Sequence, residues 1–397
     1  MPGMRLAQRM VGIGTETAFE AAARARAWEA EGHDVIHLEI GEPDFDTPAN
    51  IREAAKRALD EGWTHYGPPL GQPKLREAIA RDATARKGFA ADPANVVVTP
   101  GAKPIMFYAL LALIDEGDEV IYPDPGFPIY ESMTRFTGGT PVPVPLREEN
   151  DFRMDPLDLR GRVTPHTRMI IFNSPHNPTG SVLTREDIEA IADIVRENEN
   201  ITVLADEIYG RGVFEGEHVS IASLPGMAER TIVLDGFSKA YAMTGWRLGY
   251  AIVPPALLDA YSKLIINSVS CTSSFEQMAA AEALNGPQDS VEAMVEEFRA
   301  RRQLVVDGLN KIPGIRCLMP HGAFYVFPNV AGTGMNGNQF ADRMLYEGGV
   351  CVLSGTAFGQ TSPDHIRISY ANSQENLRRA LERIEEVVSK SPATARA

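Results

Sequence analysis

Between residues 95 and 253 the chain repeats one pattern. A short apolar run rich in β-branched residues gives way to a small or polar turn, then to a longer stretch of helical composition. The runs are Asn95 to Thr99, Glu119 to Tyr122, Met169 to Asn173, Ile201 to Ala205, Thr231 to Leu234 and Leu248 to Val253. Helices are expected at Ala102 to Asp115 and Arg185 to Glu197. A strand with one face in water alternates apolar and polar residues. Runs that stay apolar throughout must be covered on both faces, and helices between them supply the cover. The expected fold is therefore α/β, with a mostly parallel sheet flanked by helices. In such a sheet ligands bind beyond the carboxyl ends of the strands, so the turns after the runs are the places to look for chemistry.

The flanks read differently. Glu16 to Glu31 has helical composition and is stopped by Gly32. An apolar run, Val35 to Ile40, ends in the turn Gly41-Glu42-Pro43-Asp44, and Thr47-Pro48 reads as a helix start with Thr47 as the cap. Towards the other end lie a charged helix at Val291 to Asn310, a run at Ala323 to Phe327, a helix at Gln339 to Glu347, a strand at Ile366 to Ser369 and a helix at Gln374 to Ser389. Ser391 to Ala397 is expected to be a frayed tail. A length of 397 residues suits two domains or one large one.

The net charge of −15 is spread along the chain and argues against a general binder of nucleic acid or anionic membrane, whose footprint is basic. Cys271, Cys317 and Cys351 are odd in number and far apart, which does not fit a disulfide framework or a structural zinc site. The first residues carry Arg5 and Arg9 with no apolar core of a secretory signal, and no apolar stretch reaches the roughly 18 residues of a membrane span. A reducing, cytoplasmic setting is expected.

One motif is set aside. Gly332-Thr333-Gly334-Met335-Asn336-Gly337 matches the spacing of a dinucleotide loop, but it lies outside the alternating region and reads as a flexible loop. Four turns carry more. Thr99-Pro100-Gly101-Ala102-Lys103 joins a strand to a helix whose free N–H groups could hold an anion. Asn173-Ser174-Pro175-His176-Asn177-Pro178-Thr179-Gly180 is either a Pro-rich turn or one that offers an Asn amide to a ligand oxygen. In Ala205-Asp206-Glu207-Ile208-Tyr209 an acid and a phenol lie three apart at a strand end, and in isolation Asp206 reads first as a helix cap. In Gly236-Phe237-Ser238-Lys239 and on to Gly245-Trp246-Arg247-Leu248-Gly249, Lys239 sits among small and apolar residues that can lower its pKa and make it a nucleophile. An arginine eight residues later, Arg247, distinguishes this lysine from an ordinary surface one.

Together the four turns resemble the class I/II pyridoxal-phosphate-dependent aminotransferases of fold type I, the group with aspartate, alanine and aromatic aminotransferases. The resemblance runs from Gly41-Glu42-Pro43-Asp44-Phe45-Asp46-Thr47-Pro48 through Tyr66 and Gly71 to Gly322-Ala323-Phe324-Tyr325 and Arg367-Ile368-Ser369-Tyr370. It implies a large domain at 48–288 with a seven-stranded, mostly parallel sheet. It also implies a small α+β domain at 289–397 and a 1–47 arm that completes the small domain.

The resemblance further implies that Lys239 carries pyridoxal 5′-phosphate covalently and moves the substrate proton, and that Asp206 pairs with the ring nitrogen. Tyr209 and Asn177 would bond the ring's 3′ oxygen, and Phe127 would stack on the ring. The phosphate would be held by Arg247, Ser238 and the backbone of Gly101, Ala102 and Lys103, joined by Tyr66 from a second copy in a homodimer. Arg367 would grip the substrate α-carboxylate, with Asn177 and the Gly41 backbone beside it. Gly236 stands where some members have a phosphate-binding Ser, His176 where Asn is frequent, and Pro104 where a donor is common.

The implied activity is ping-pong transfer of an amino group from an L-amino acid to a 2-oxo acid. An aspartate or glutamate donor with 2-oxoglutarate is the first expectation, and Arg211, Lys103 or Arg135 are candidates for a second cation. Alanine-type or aromatic-type transfer and a C–S or β-lyase remain open on the same scaffold. A cofactor-sensing regulator is disfavoured, because no basic DNA-reading segment is evident.

Overall fold

The computed structural model describes residues 4–11 and 13–390; the expected tail at 391–397 lies outside them. Seven strands form the central sheet: β1 (Val96–Pro100), β2 (Glu119–Asp124), β3 (Thr140–Pro145), β4 (Thr167–Asn173), β5 (Thr202–Asp206), β6 (Thr231–Gly236) and β7 (Leu248–Ile252). Their order across the sheet is β1-β7-β6-β5-β4-β2-β3. All pairings are parallel except those of β7, which runs against both β1 and β6. The carboxyl ends of β1, β2, β4, β5 and β6 therefore share one edge, and the start of β7 joins them there.

Alternation along each strand divides the sheet into two buried faces. Met169, Ile171, Leu204, Ile232 and Leu234 pack with Ile105, Met106 and Leu110 of the helix Lys103–Leu113 and with Tyr261 and Ile265 of the helix Leu258–Ser268. On the other face, Ile170, Phe172, Val203 and Ala205 meet Ile188, Ile191 and Val195 of the helix Arg185–Arg196. Further along that face, Val98, Val233 and Tyr250 meet helices Ala49–Asp60, Pro73–Lys87 and Ser274–Asn285. Both faces are covered, as unbroken apolar runs require.

A separate cluster combines Ile36 and Leu38 with residues of the helices Asp289–Leu309, Gly337–Gly348 and Gln374–Ser389. Its strands are short: Ile36–His37 pairs in parallel with Val350–Cys351, and Ile366–Ser369 lies between Leu353–Ser354 and Tyr325–Val326. The chain's beginning and end are thus packed together.

Three local readings change. The strand β3, Thr-Pro-Val-Pro-Val-Pro, was not among the apolar runs; its prolines are tolerated because it is an edge strand with β2 as its single neighbour. Thr47 does not cap the helix Ala49–Asp60. Its hydroxyl donates to Ala242 O at 2.6 Å and accepts from Trp246 Nε1 at 2.9 Å, so it fastens the loop after Lys239. In the Gly332–Gly337 segment, a Cβ on Gly332 would stand 2.8 Å from Gly314 Cα, and Asn336 caps the following helix. Gly332 serves a close backbone crossing. Among the described residues no helix is long and apolar enough to cross a membrane, and the three cysteines are unpaired.

Candidate active site

The shared strand edge opens into a cavity of about 480 Å³. The strand ends deliver its polar groups. Asp206 is the last residue of β5 and points to the same face as Leu234, its register neighbour on β6. Asn173, the last residue of β4, pairs with Asp206 in register. Its Nδ2 donates to Asp206 O at 2.9 Å, and its Oδ1 accepts from Asn177 N at 2.8 Å, which folds the Pro-rich turn back over the strand end. Ser238 and Lys239 follow β6, and Arg247 precedes β7.

Asp206 is buried. Its Oδ2 accepts from Tyr130 Oη at 2.7 Å and its Oδ1 from Ile208 N at 3.2 Å. Burial nonetheless raises its pKa to about 6, against the help of Tyr130. A carboxylate so placed is left wanting a cation. Lys239 donates to Gly41 O and stands 5.8 Å over the Phe324 ring. Burial lowers its pKa to about 8, with Glu42 opposing and Arg367 assisting. Its amine faces the cavity, so the side chain stays partly exposed while protein surrounds it.

Arg367 is deeply buried. It donates to Asn177 Oδ1 at 3.1 Å and to Glu39 O, and its guanidinium lies 4.6 Å over Tyr325 and 4.8 Å over Phe358. Its Nε has no acceptor, and it forms no ion pair among the described residues. A buried guanidinium with a spare donor suits an incoming carboxylate. Tyr209 Oη is 2.8 Å from Tyr325 Oη.

The loop at Gly101 forms a cradle. Gly101 has φ +83°, and a Cβ there would stand 2.2 Å from Arg247 Nη2. A Cβ on Gly249 would lie 2.5 Å from Ala102 N. Backbone and guanidinium thus converge on a space that side chains would fill. Arg247 itself has φ 51° and is tethered by Nη1 to Thr244 O at 2.8 Å. Phe127 offers its ring to the cavity wall, with Lys103 Nζ 5.6 Å above it. A dianion site, a buried carboxylate, a flat ring and a lysine amine in one cavity fit the phosphate, ring nitrogen, ring face and aldehyde carbon of pyridoxal phosphate.

Of the residues expected from sequence, Gly41, Ala102, Lys103, Phe127, Asn177, Asp206, Tyr209, Ser238, Lys239, Arg247 and Arg367 line the cavity, and Gly101 abuts it through Arg247. Tyr66 does not; it is 90% exposed on the surface of the single chain. His176 turns away. Its Nδ1 meets Thr179 Oγ1 at 2.8 Å, and burial takes its pKa down to about 3, so it is a neutral loop residue. Arg211 pairs with Asp82 at 2.6 Å and Arg135 with Glu131 at 2.8 Å, both outside the cavity. Lys103 is the one of the three second-cation candidates that reaches it, where it pairs with Glu16.

Sequence reasoning missed Tyr130, Tyr325, Asn173, Glu16 and Glu42 as lining residues. Asn173 ended a recognised strand and Tyr325 a recognised motif, so position alone could have flagged both. Glu42 likewise sat in a recognised motif, beside Gly41; nothing local marks Tyr130 or Glu16.

Comparison with known proteins agrees with this geometry. Residues 33–384 match the family Aminotransferase class I and II. The chain is 44% identical over 386 residues to an aspartate aminotransferase of Pyrococcus horikoshii, covering 96% of this chain and 97% of that protein. It is 43% identical to aromatic-amino-acid aminotransferase 2 of Thermococcus litoralis, covering 89% and 92%. The crystal structure of the Rhizobium meliloti aspartate aminotransferase superposes with a TM-score of 0.94 at 38% identity, covering 98% of this chain and all of the other. The chain belongs to the class I and II aminotransferases, and it is a pyridoxal-phosphate-dependent transaminase of fold type I.

Proposed function

We propose that this transaminase takes a dicarboxylic amino acid, aspartate or glutamate, as donor and a 2-oxo acid such as 2-oxoglutarate as acceptor. The observation that carries the reading is the joint lining of one cavity by Lys239, Asp206, Arg367 and Lys103. Arg367 binds the α-carboxylate, and Lys103 is the cation available to a distal one. The names of the Pyrococcus and Rhizobium relatives support the same donor.

When bound, pyridoxal phosphate supplies an electrophilic carbon and a ring that accepts an electron pair. The chain's residues do the rest. Asp206 would hold a proton on the ring nitrogen, and Tyr209 and Asn177 would donate to the ring's 3′ oxygen. Phe127 would pack on the ring face. Arg247, Ser238 and the Gly101, Ala102 and Lys103 amides would hold the phosphate, with Tyr66 from a second copy in a homodimer. Lys239 Nζ would accept the proton of the substrate Cα and later give it up again, as the site's general base and then its general acid. With its pKa lowered to about 8, the free amine is about one-tenth unprotonated at pH 7 and about half unprotonated at pH 8. The return half runs the same transfers backwards with the second oxo acid.

Boundaries at 47/48 and 288/289 and a cytoplasmic setting complete the reading. A second reading, aromatic-type transfer, draws on Phe19 and Ile40 in the wall and on Glu16 neutralising Lys103. Two measurements test the proposal. Lys239→Ala is expected to lose turnover and the visible absorbance of the lysine-linked cofactor; retention of both overturns it. A panel of amino donors, followed by the fall in that absorbance, is expected to rank aspartate and glutamate first. Pyruvate release without an added oxo acid would indicate a lyase instead.

A further inference from the structure

Behind the site, on the opposite face of the sheet, lies a buried charged cluster that the transfer steps do not use. Lys87, the last residue of the helix Pro73–Lys87, has no side-chain exposure. Its Nζ lies 2.6 Å from Glu207 Oε2 and 2.8 Å from Asp235 Oδ2. Glu207 directly follows Asp206 at the end of β5. Asp235 lies four residues before Lys239, near the end of β6. Since side chains alternate across a strand, Asp206 faces the cavity with Leu234, while Asp235 and Glu207 face Lys87.

We propose that Lys87 is a positioning residue of the transamination site, which ties the ends of β5 and β6 through Glu207 and Asp235 and sets the electrostatic potential at Asp206 and Lys239 from behind the sheet. The inference rests on Asp206 facing the cofactor ring, as proposed above.

Both carboxylates of the cluster accept further hydrogen bonds, which fix their geometry. Glu207 Oε1 accepts from Ser220 Oγ at 2.6 Å, and His218 Nε2 lies 3.0 Å from Oε2. Asp235 accepts from Gly236 N at 2.7 Å and from Tyr250 Oη at 3.1 Å. Glu207 N donates to Leu234 O at 2.9 Å, which joins the two strand ends directly. Two carboxylates and one ammonium leave one excess negative charge, and Arg86, bonded to Asp82, stands nearby as a second cation. The balance reaches the site, because the charges of Asp235 and Glu207 both act to raise the proton affinity of Asp206. On the cavity side, Tyr130 contacts Asp206, while Glu42, Glu16, Arg367 and Arg247 act on Lys239. Burial opposes the Lys87 charge, yet its two partners hold its pKa above the ordinary value, so the ammonium persists.

The test uses the cofactor-loaded enzyme and reads the pH midpoint of its visible absorption band, with thermal unfolding as a control. Lys87→Met makes the potential more negative, so the midpoint is expected to rise. Glu207→Gln removes a negative charge, so it is expected to fall. Each change should be about tenfold in proton affinity, the scale of one buried charge at an effective dielectric of about 20. Lys87→Met combined with Glu207→Gln should return close to the native midpoint. A merely structural role would lower the unfolding temperature in every variant without signed shifts. An unmoved or raised midpoint in Glu207→Gln overturns the proposal, even where Lys87→Met fails to fold. If the reading of Asp206 itself is wrong, Asp206→Asn will retain the native band and midpoint, whereas failure of the Lys87 inference leaves that variant's effect intact.

Discussion

Arg367 donates to Asn177 Oδ1 at 3.1 Å while its Nε, buried and unaccepted, lies in a cage of Tyr325 and Phe358 rings. The arrangement leaves a guanidinium desolvated without a counter-charge. Burial lowers its proton affinity below the ordinary arginine value, yet not enough to discharge it. Arg367→Leu is therefore expected to leave the free protein as stable or more stable, since a buried unpaired charge is removed. It should raise KM for the amino donor about 100-fold, the loss of roughly 3 kcal/mol from a bidentate charged pair. Thermal unfolding and initial rates check the two halves, and an unchanged KM would remove Arg367 from the substrate site.

Asp206 carries a similar conflict, with a pH dependence. In the cofactor-free chain its pKa lies near 6, above that of an unfolded chain. The folded state then binds this proton more tightly, so stability falls as pH rises from the ordinary carboxylate range to 6 and levels above it. At about 1.4 kcal/mol per pH unit the cost approaches roughly 3 kcal/mol. Cofactor-free Asp206→Asn should match the native protein near pH 4 and exceed its unfolding temperature at pH 7.5. With cofactor present the order should reverse, and kcat should fall at least about 100-fold, since on the proposed reading the ring nitrogen would lose its anionic partner. Scanning calorimetry at both pH values decides the first point.

Much of this was legible from the chain, and the limits have physical causes. The strands ending in Asn173, Asp206 and Gly236 announced themselves because burial on both faces forces unbroken apolar runs. β3 was hidden because an edge position tolerates the prolines that normally argue against a strand. The cavity's residues were found where a motif fixed them next to a strand end. Tyr130 was not, since its hydroxyl reaches Asp206 across 76 residues from the first turn of an ordinary amphipathic helix, Ile129–Phe136. Thr47 looked like a cap because capping is a local rule, and the competing acceptor at Ala242 is visible only in three dimensions.

Gly101 should be irreplaceable by even the smallest side chain. Its φ of +83° already disfavours alanine, and the added Cβ would stand 2.2 Å from Arg247 Nη2. Gly101→Ala must displace the guanidinium, so the cofactor's dissociation constant is expected to rise about 10- to 100-fold, the worth of one to two charged hydrogen bonds. Arg247→Lys should weaken the cofactor comparably, because an ammonium cannot reproduce the planar fork. If both effects arise from one contact, the double variant will be little worse than either single one. Additive losses, measured by fluorescence titration, would separate Gly101 from the phosphate.

The pair of Lys103 and Glu16 gives the substrate question a signed answer. Glu16 immediately precedes the helix Thr17–Ala30 and occupies the ammonium that a distal carboxylate would need. The Lys103 side chain is half exposed, so the pair itself is worth at most about 1 kcal/mol. A dicarboxylate can therefore displace Glu16 at little cost. Glu16→Gln is expected to lower KM for aspartate several-fold, within that limit, and to leave KM for an aromatic donor unchanged. Lys103→Ser should raise KM for aspartate about tenfold or more while sparing the aromatic donor. If Lys103→Ser instead leaves aspartate untouched and Glu16→Gln weakens a basic or aromatic donor, the side-chain pocket reads something other than a carboxylate, and the dicarboxylate assignment fails.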